Sequence, residues 1–332
     1  MAPQMMKAVR FYPPGGIEQL KIQTEPIPKP KEGEVLIKVQ NVAVIATEIS
    51  WPIYQHPNGE YFTHIPGHDF SGTVVELGPG IDPAAYPEIQ PGSKVVAFTG
   101  GSDLDPSTGF SAHEGAMAQY AIARITQIAP KPQNLSFAEA ASIPLSALTA
   151  WQALHDHGKL QAGERLLITG AAGGTGIFAV QFAKLIGARV VGTASSERSF
   201  EILRDLGIDE IIDYKRNPNW QENVSPFDLV LDTVGGPVLD QCLKAIRRDG
   251  RVVNIKDVDG DDRAQAAAKG AILFIVTCNH EQLKEIMRLI EKGLVKTVVD
   301  SIVPFDKVYE AFSKGFEGHV HGKIVLQVAD SQ

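Results

Sequence analysis

The chain has 332 residues, enough for about two domains with their own cores, and its 44% hydrophobic and 21% charged shares are ordinary for a soluble globular protein. A net charge of −8 and the lack of any long Lys/Arg run oppose a nucleic-acid surface. No stretch reaches the ~18 uninterrupted apolar residues of a membrane span, and the opening Met1 to Lys7 lacks the apolar core of a secretory signal, so a cytoplasmic protein with no membrane partner is expected.

Residues 1 to about 122 read as short strands separated by Pro- and Gly-rich turns. Val35, Ile37 and Val39 alternate, Thr73 to Leu77 follows a glycine, and Lys94 to Phe98 follows the turn "QPGS". The segment "GGSDLDPSTGFSAHEG" at 100 to 115 reads as a loop overhanging a cleft. From about 135 the texture changes to alternating helix and strand, with strands centred on Leu166–Thr169, Arg189–Thr193, Ile211–Ile212, Leu229–Leu231, Arg251–Ile255 and Ile272–Val276. That alternation predicts an α/β fold with a doubly wound parallel sheet. The tail returns to short elements: "TVVDSIVPF", a helix near Lys307 to Ser313 and a last strand "GKIVLQV", expected to pack back on the N-terminal domain. Cys242 and Cys278 cannot build a disulfide framework or a zinc site, and each is expected to be a small buried hydrophobe.

The most informative stretch is "LLITGAAGGTGIFAVQFAKLIGARVVGTASSER", residues 166 to 198. A buried strand runs into a turn with four glycines in seven positions, Gly170 to Gly176, and then into a helix with Phe178, Phe182 and Leu185 on one face. Gly187 stops that helix and a second strand follows, which completes a βαβ unit. Ala171, Ala172, Gly173, Gly174, Thr175 and Gly176 form a G-x-G-x-x-G fingerprint with alanine at the first glycine. In such a turn Gly173 admits a pyrophosphate, Gly176 lets helix and strand pack closely, and the helix N-terminus supplies N–H donors. The acid that usually reads a free ribose 2′-hydroxyl is missing, for the second strand ends in Ala194, Ser195, Ser196, Glu197 and Arg198. Ser195, Ser196 and Arg198 suit a 2′-phosphate, while Glu197 would repel one if it pointed inward. The other reading has the serines cap the next helix, with Glu197 and Arg198 solvated on its first turn.

Segments spread along nearly the whole chain, "MKAVRFYPPGG", "PGHDFSGTVVELGPG", "LSFAEAASIPLSALTAWQAL", "LLITGAAGGTG", "IIDY", "LVLDTVGG" and "HGKIVL", resemble the medium-chain dehydrogenase/reductase superfamily. Within it the chain is similar to the zinc-independent branch of quinone oxidoreductases and enone reductases. The resemblance implies a GroES-like, β-rich catalytic domain (residues 1–122 and 298–332), a Rossmann, NADP-binding domain (residues 123–297), and an active-site cleft between them. Relatives that are alcohol dehydrogenases place a zinc-ligating Cys where this chain has Ile45 or Ala46, and carry a four-cysteine lobe that this chain lacks. Only His68 falls at a position where such relatives keep a ligand, so no metal site is expected and His68 reads as a hydrogen-bonded residue lining the cleft. Reduction, not alcohol oxidation, is the chemistry that survives loss of the metal.

The same resemblance implies further site residues. Tyr214 matches a tyrosine beside the 2′-phosphate, and Ser199 stands where relatives often have Lys. Thr149, then Asp232, Thr233 and Val234, and Asn254 and Ile255 are implied to face the nicotinamide. His321 stands where relatives often have Arg, which leaves Lys323 as a cation near the nicotinamide end or else a plain solvated lysine. Tyr54 and Tyr61 are the candidate catalytic donors to a carbonyl oxygen, with surface aromatics as the alternative, and Trp51, His68 and Phe274 are candidate pocket walls. The function these implications describe is NADPH-dependent reduction of a quinone or an α,β-unsaturated carbonyl by a homodimer paired through residues 271 to 276. The alternative is a non-catalytic NADPH-binding sensor or structural protein.

Overall fold

The computed structural model describes residues 4–51, 63–100, 114–256 and 260–329. The chain forms two compact units, one of residues 1–145, 277–294 and 298–332 and one of residues 146–276 and 295–297.

The first unit begins with a two-stranded antiparallel ribbon, β1 (Met5–Phe11) and β2 (Leu20–Pro26). Strands β3 (Glu34–Val44), β4 (Asp69–Leu77), β5 (Lys94–Phe98), β6 (Tyr120–Arg124) and β7 (Ile128–Pro130) follow. The sequence boundary expected at 122–123 falls inside β6, which stays with the first unit. Helix α1 (Phe137–Ala141) opens with a capping box, in which Ser136 accepts from the Glu139 N–H and the Glu139 carboxylate accepts from the Ser136 N–H.

Helix α2 (Pro144–Gln152) begins at the boundary between the units and ends in a π-helical turn, Ala153–His157. The second unit then alternates strand and helix: β8 (Arg165–Ile168), α3 (Gly176–Ile186), β9 (Arg189–Ala194), α4 (Glu197–Asp205), β10 (Glu210–Asp213), β11 (Phe227–Asp232), α5 (Pro237–Ala245), β12 (Ile246–Asn254), α6 (Gly260–Ala268) and β13 (Ile272–Leu273). Its six-stranded sheet is parallel throughout and runs β10-β9-β8-β11-β12-β13. This is the dinucleotide-fold order, with the switch point between β8 and β11. Leu166, Leu167 and Ile168 are fully buried, as a central strand covered on both faces requires. On α3, Phe178 and Phe182 stack in the core, but Leu185 on the last turn is 47% exposed, so the apolar face is one turn shorter than the spacing suggests. The strand expected over 271–276 is also shorter, pairing with β12 only at Ile272 and Leu273.

Helix α7 (His280–Glu291) returns to the first unit, where His280 Nδ1 lies 2.6 Å from the Ile128 carbonyl oxygen. Strand β14 (Val299–Pro304), helix α8 (Val308–Glu317) and β15 (Lys323–Gln327) complete it. The sheet order is β14-β15-β3-β4-β5-β7, with β6 also on β3, and the long β3 therefore joins the tail to the N-terminal strands. Its core holds Phe11, Ile37, Phe70 and Phe312.

Candidate functional site

The turn after β8 is built for a close-approaching ligand backbone. Gly170 takes a φ of +60°, and a Cβ there would lie 2.8 Å from Thr233 Oγ1. At Gly176, the first residue of α3, a Cβ would lie 2.5 Å from the Ala171 carbonyl oxygen, so no side chain fits. Gly173 differs, for a Cβ there would meet only the Gly170 oxygen, at 3.2 Å, and its outer side is open. Alanine at the first glycine position is accommodated by Gly192 on β9, where a Cβ would lie 2.6 Å from that of Ala171. Ala171 and Ala172 are buried, whereas Gly173, Gly174 and Thr175 are partly exposed in front of α3. A turn with an open rim and N–H groups at the start of an 11-residue helix fits a pyrophosphate.

Beside the switch point, the fully buried Asp232 ties the carboxyl ends of three strands together. Its Oδ1 accepts from Thr169 Oγ1 at 2.7 Å and from the N–H groups of Val234 and Gly235 at 3.0 and 3.1 Å, while Oδ2 accepts from Asn254 Nδ2 at 3.0 Å. The Thr233 N–H donates to Thr169 Oγ1, the Thr233 hydroxyl to the Thr169 carbonyl, and the Ile255 N–H to the Asp232 carbonyl. Asp232 thereby orders Thr233, Val234, Asn254 and Ile255 as one assembly, and Val234 is left 44% exposed at its edge. Thr149, on α2, is 7% exposed.

At the end of β9, Ser195 Oγ donates to Tyr214 OH at 2.8 Å, so two residues far apart in sequence form one polar pair, with Tyr214 41% exposed. Ser196 caps α4, accepting from the Ser199 N–H at 3.1 Å. Glu197 and Arg198 are exposed on its first turn, where Arg198 Nη1 lies 3.4 Å from Glu201. The capping reading of the serines is therefore realised at Ser196, while Ser195 points its hydroxyl at Tyr214.

In the first unit, His68 is fully buried, its Nδ1 lying 3.2 Å from Thr99 Oγ1, and its ring stacks with that of Trp51 at 6.2 Å between centroids. Next to it lies a group of buried charges. Lys323, 7% exposed, places Nζ 3.8 Å from Asp69 Oδ2, and the Glu48 carboxylate acts on the same ammonium. Neither Glu48 oxygen meets a donor at full hydrogen-bonding geometry, and neither does Asp69 Oδ2. Burial pushes Glu48 well above the usual carboxylate range, an effect that Lys323 opposes and Asp69 reinforces. Burial likewise raises Asp69 to about 7, against the pull of Lys323 and of the Leu145 N–H that donates to its Oδ1. The Lys323 ammonium is itself lowered by burial and held up by the two acids. Lys323 is thus no solvated lysine.

Phe274 belongs to the second unit, where it is 8% exposed and stacks on His157 with ring centroids 4.2 Å apart. Tyr54 and Tyr61 lie outside the described residues. Cys242 is a fully buried hydrophobe as expected, but Cys278 is half-buried with Sγ 3.0 and 3.1 Å from the Phe98 and Gly100 carbonyl oxygens, so it acts as a polar group. Among the described residues, no three His, Cys, Asp or Glu side chains gather as a metal-holding group. Sequence reasoning missed Glu48 and Asp69, although the acid closing the apolar run "VIATE" was a readable signal for Glu48. It also missed Thr169, whose role depends on a partner 63 residues away.

Comparison with known proteins matches residues 31–133 to the alcohol dehydrogenase GroES-like domain and residues 206–326 to the zinc-binding dehydrogenase family. The chain is 32% identical to a 2-methylene-furan-3-one reductase of Solanum lycopersicum, over 98% of this chain and 79% of the relative. It is also 32% identical to a chloroplastic NADPH-dependent alkenal/one oxidoreductase of Arabidopsis thaliana, over 98% and 80%. Among solved structures, a quinone oxidoreductase from Coxiella burnetii superposes with a TM-score of 0.85 at 29% identity, covering 98% of this chain and all of that one.

Proposed function

The chain belongs to the quinone-oxidoreductase-like branch of the medium-chain dehydrogenase/reductase superfamily, and on that premise we propose that it is an NADPH-dependent reductase of quinones or α,β-unsaturated carbonyls. The observation that carries the reading is the β8 turn, whose glycines leave a backbone-lined rim before α3 and whose neighbouring strand ends are locked by Asp232. Gly173, Gly174, Thr175 and the first turn of α3 hold the pyrophosphate, and Thr149, Thr233, Val234, Asn254 and Ile255 support the nicotinamide. When bound, the cofactor supplies the hydride. The protein supplies position, exclusion of water and a hydrogen-bond donor at the carbonyl oxygen where negative charge develops. Trp51 and His68 in the first unit are candidate aromatic contacts of the substrate, Phe274 in the second unit is a separate candidate, and Tyr54 and Tyr61 are the donors to test first.

The 2′-phosphate is read by the Ser195–Tyr214 pair, with Arg198 freed from Glu201 to supply charge. One well-formed charge-assisted contact is worth about 1.5–3 kcal/mol, so Arg198→Ala should cut the NADPH-over-NADH preference by about ten- to hundredfold. Equal affinities for the two cofactors in the unmodified protein would sink this assignment. The overall reading is tested by following NADPH absorbance with enals, enones and quinones, and NADP⁺ reduction with simple alcohols. Faster oxidation of an alcohol than reduction of any acceptor would overturn it, and so would cofactor binding without turnover of any acceptor. Phe in place of the true tyrosine donor should slow turnover roughly a hundredfold with little change in NADPH affinity.

The reading extends to a homodimer paired through β13, the edge of the six-stranded sheet, next to which Ile275 is 47% exposed. A monomeric mass by light scattering over a wide concentration range would exclude it.

A further inference from the structure

We propose that Lys323 is a positioning residue that clamps Glu48 to Asp69 and so fixes the stack of Trp51 on His68. The inference rests on the reading above only in taking those rings as a wall of the substrate pocket.

Glu48 sits in the 3₁₀ turn Ala46–Ser50, its N–H donating to the Ile45 carbonyl, and the Trp51 N–H donates to the Glu48 carbonyl at 3.1 Å. One turn of backbone therefore links the Glu48 carboxylate to the indole. Asp69 directly follows His68 and opens β4, paired with Phe98 on β5. The Thr99 N–H donates to the His68 carbonyl at 2.8 Å, which holds the His68 main chain from the other side, while Thr99 Oγ1 lies 3.2 Å from the ring's Nδ1. Each of the two aromatic rings is thus attached through the chain to a buried acid; Lys323 Nζ lies 3.8 Å from the Asp69 carboxylate, and the Glu48 carboxylate acts on the same ammonium from beyond ion-pair distance.

The ammonium has a fixed origin. Gly322, with a φ of +72°, passes so close to the chain that a Cβ there would lie 2.0 Å from the Val298 oxygen, and the Lys323 N–H donates to that same oxygen at 3.1 Å. The lysine thus starts from a backbone packed closely on Val298 and hydrogen-bonded to it, and from there its side chain reaches toward Asp69 Oδ2. Among the described residues, the groups acting on the clamp are the Leu145 and Gly67 N–H groups, besides Glu48, Asp69 and Lys323 themselves. Two acids and one lysine removed from water are a costly way to fill a core, and apolar residues of the same volume would serve stability as well or better. What the charges add is direction, since the ammonium draws on the Asp69 carboxylate beside it and its field reaches Glu48, so the two segments are held toward one point.

The clamp accounts for why Lys323 is buried. It also separates two roles for the lysine, because a lysine that touched the cofactor would change NADPH affinity, whereas a clamp changes the geometry around Trp51. Displacing a substrate-positioning group by about 1 Å can cost ~10²-fold in rate.

The experiment compares Lys323→Arg, Lys323→Met and the charge-free triple variant Glu48→Gln/Asp69→Asn/Lys323→Met. The triple variant keeps the shapes while leaving no unpaired buried charge, so it separates folding from positioning. Two readouts are taken. One is the part of the intrinsic fluorescence that Trp51→Phe removes, measured without substrate, and the other is KM and kcat for an accepted enone or quinone alongside the Kd of NADPH. We expect Lys323→Arg to keep the Trp51 emission, and the triple variant to melt near the unmodified protein with altered Trp51 emission. Its KM should rise roughly tenfold or more, with NADPH affinity unchanged. Native Trp51 emission and native KM in the triple variant would overturn the clamp, as would a weaker NADPH affinity with Trp51 emission intact. If no acceptor is reduced even by the unmodified protein, the functional reading fails, and the emission comparison alone decides the clamp.

Discussion

Asp232 and Asp69 are both fully buried aspartates at the end of a strand, and the two units satisfy them in opposite ways. Asp232 accepts four hydrogen bonds, from a hydroxyl, an amide side chain and two backbone N–H groups, with no cation bonded to it among the described residues. Among the described residues Asp69 accepts one, from the Leu145 N–H, and turns its other oxygen toward a lysine 3.8 Å away on which Glu48 also acts. Oriented dipoles hold a charge in place by geometry, each donor being short-ranged and directional. A buried ammonium acts over a longer distance and tolerates looser contact, at a high cost in desolvation. The first arrangement suits strand ends that must keep one shape, and the second suits drawing separate segments together.

The comparison breaks most visibly at Asp232. Replacing it by Ala leaves four donors without their acceptor, three of them buried and the Val234 N–H part-buried, and each buried one costs about 1–3 kcal/mol, so a loss on the order of 4 kcal/mol or more is expected by chemical denaturation. On the proposed function, nicotinamide-cofactor affinity should fall with it, because Thr233, Val234, Asn254 and Ile255 lose their common anchor. A variant that melts within a few degrees of the unmodified protein and binds NADPH normally would show that the network is dispensable.

The second break is at Lys323, where a single change to Met leaves Glu48 and Asp69 buried without their cation. Breaking a buried pair this way costs about 3–5 kcal/mol. The loss should shrink as pH is lowered, since protonated acids need no cation. A pH-independent loss would mean that the two acids stay neutral throughout.

Asp69 sharpens the contrast through pH. Its acid is raised from 3.8 to about 7 on folding, so between those values the folded state binds the extra proton. Its contribution is therefore most favourable below pH 4 and is lost as pH rises through about 7. Asp69→Asn removes that titration, so its stability relative to the unmodified protein should improve from pH 5 to pH 8. A flat difference over that window would place the proton elsewhere.

The smallest effect is expected at a half-buried pair in the second unit, where Arg251 holds Glu164 by two contacts of 2.9 and 2.7 Å. The Arg251 hydrogen bonds lower the Glu164 acid, so its stabilisation is present above pH 4.5 and fades as pH falls through the lowered value. Glu164→Gln should cost about 1 kcal/mol at neutral pH and nothing in strong acid, as judged by urea midpoints. A cost comparable to that of Lys323→Met would show that burial is not what separates the two kinds of charge.

Much of the second unit was legible in the sequence because its signals are local. Leu166 to Ile168, the glycine turn and α3 announce a strand, a turn and a helix by spacing alone, since each rests on contacts within about one turn or one strand. The six strands followed from the same alternation, apart from β13, where pairing stopped at two residues although the apolar run continued. The serines after β9 could be read as a cap or as a phosphate site, and chain order had no means of dividing Ser196 from Ser195.

What the sequence by itself determined is the fold, the glycine rim and the family to which the chain belongs. Only the tertiary structure decided which polar groups face each other: Ser195 with Tyr214, Thr169 with Asp232, and Lys323 with Asp69 and Glu48. The physical reason is the range of the interactions. Backbone preferences and hydrophobic periodicity are written in neighbouring residues, whereas a buried charge takes its meaning from whichever distant segment the folded chain lays against it.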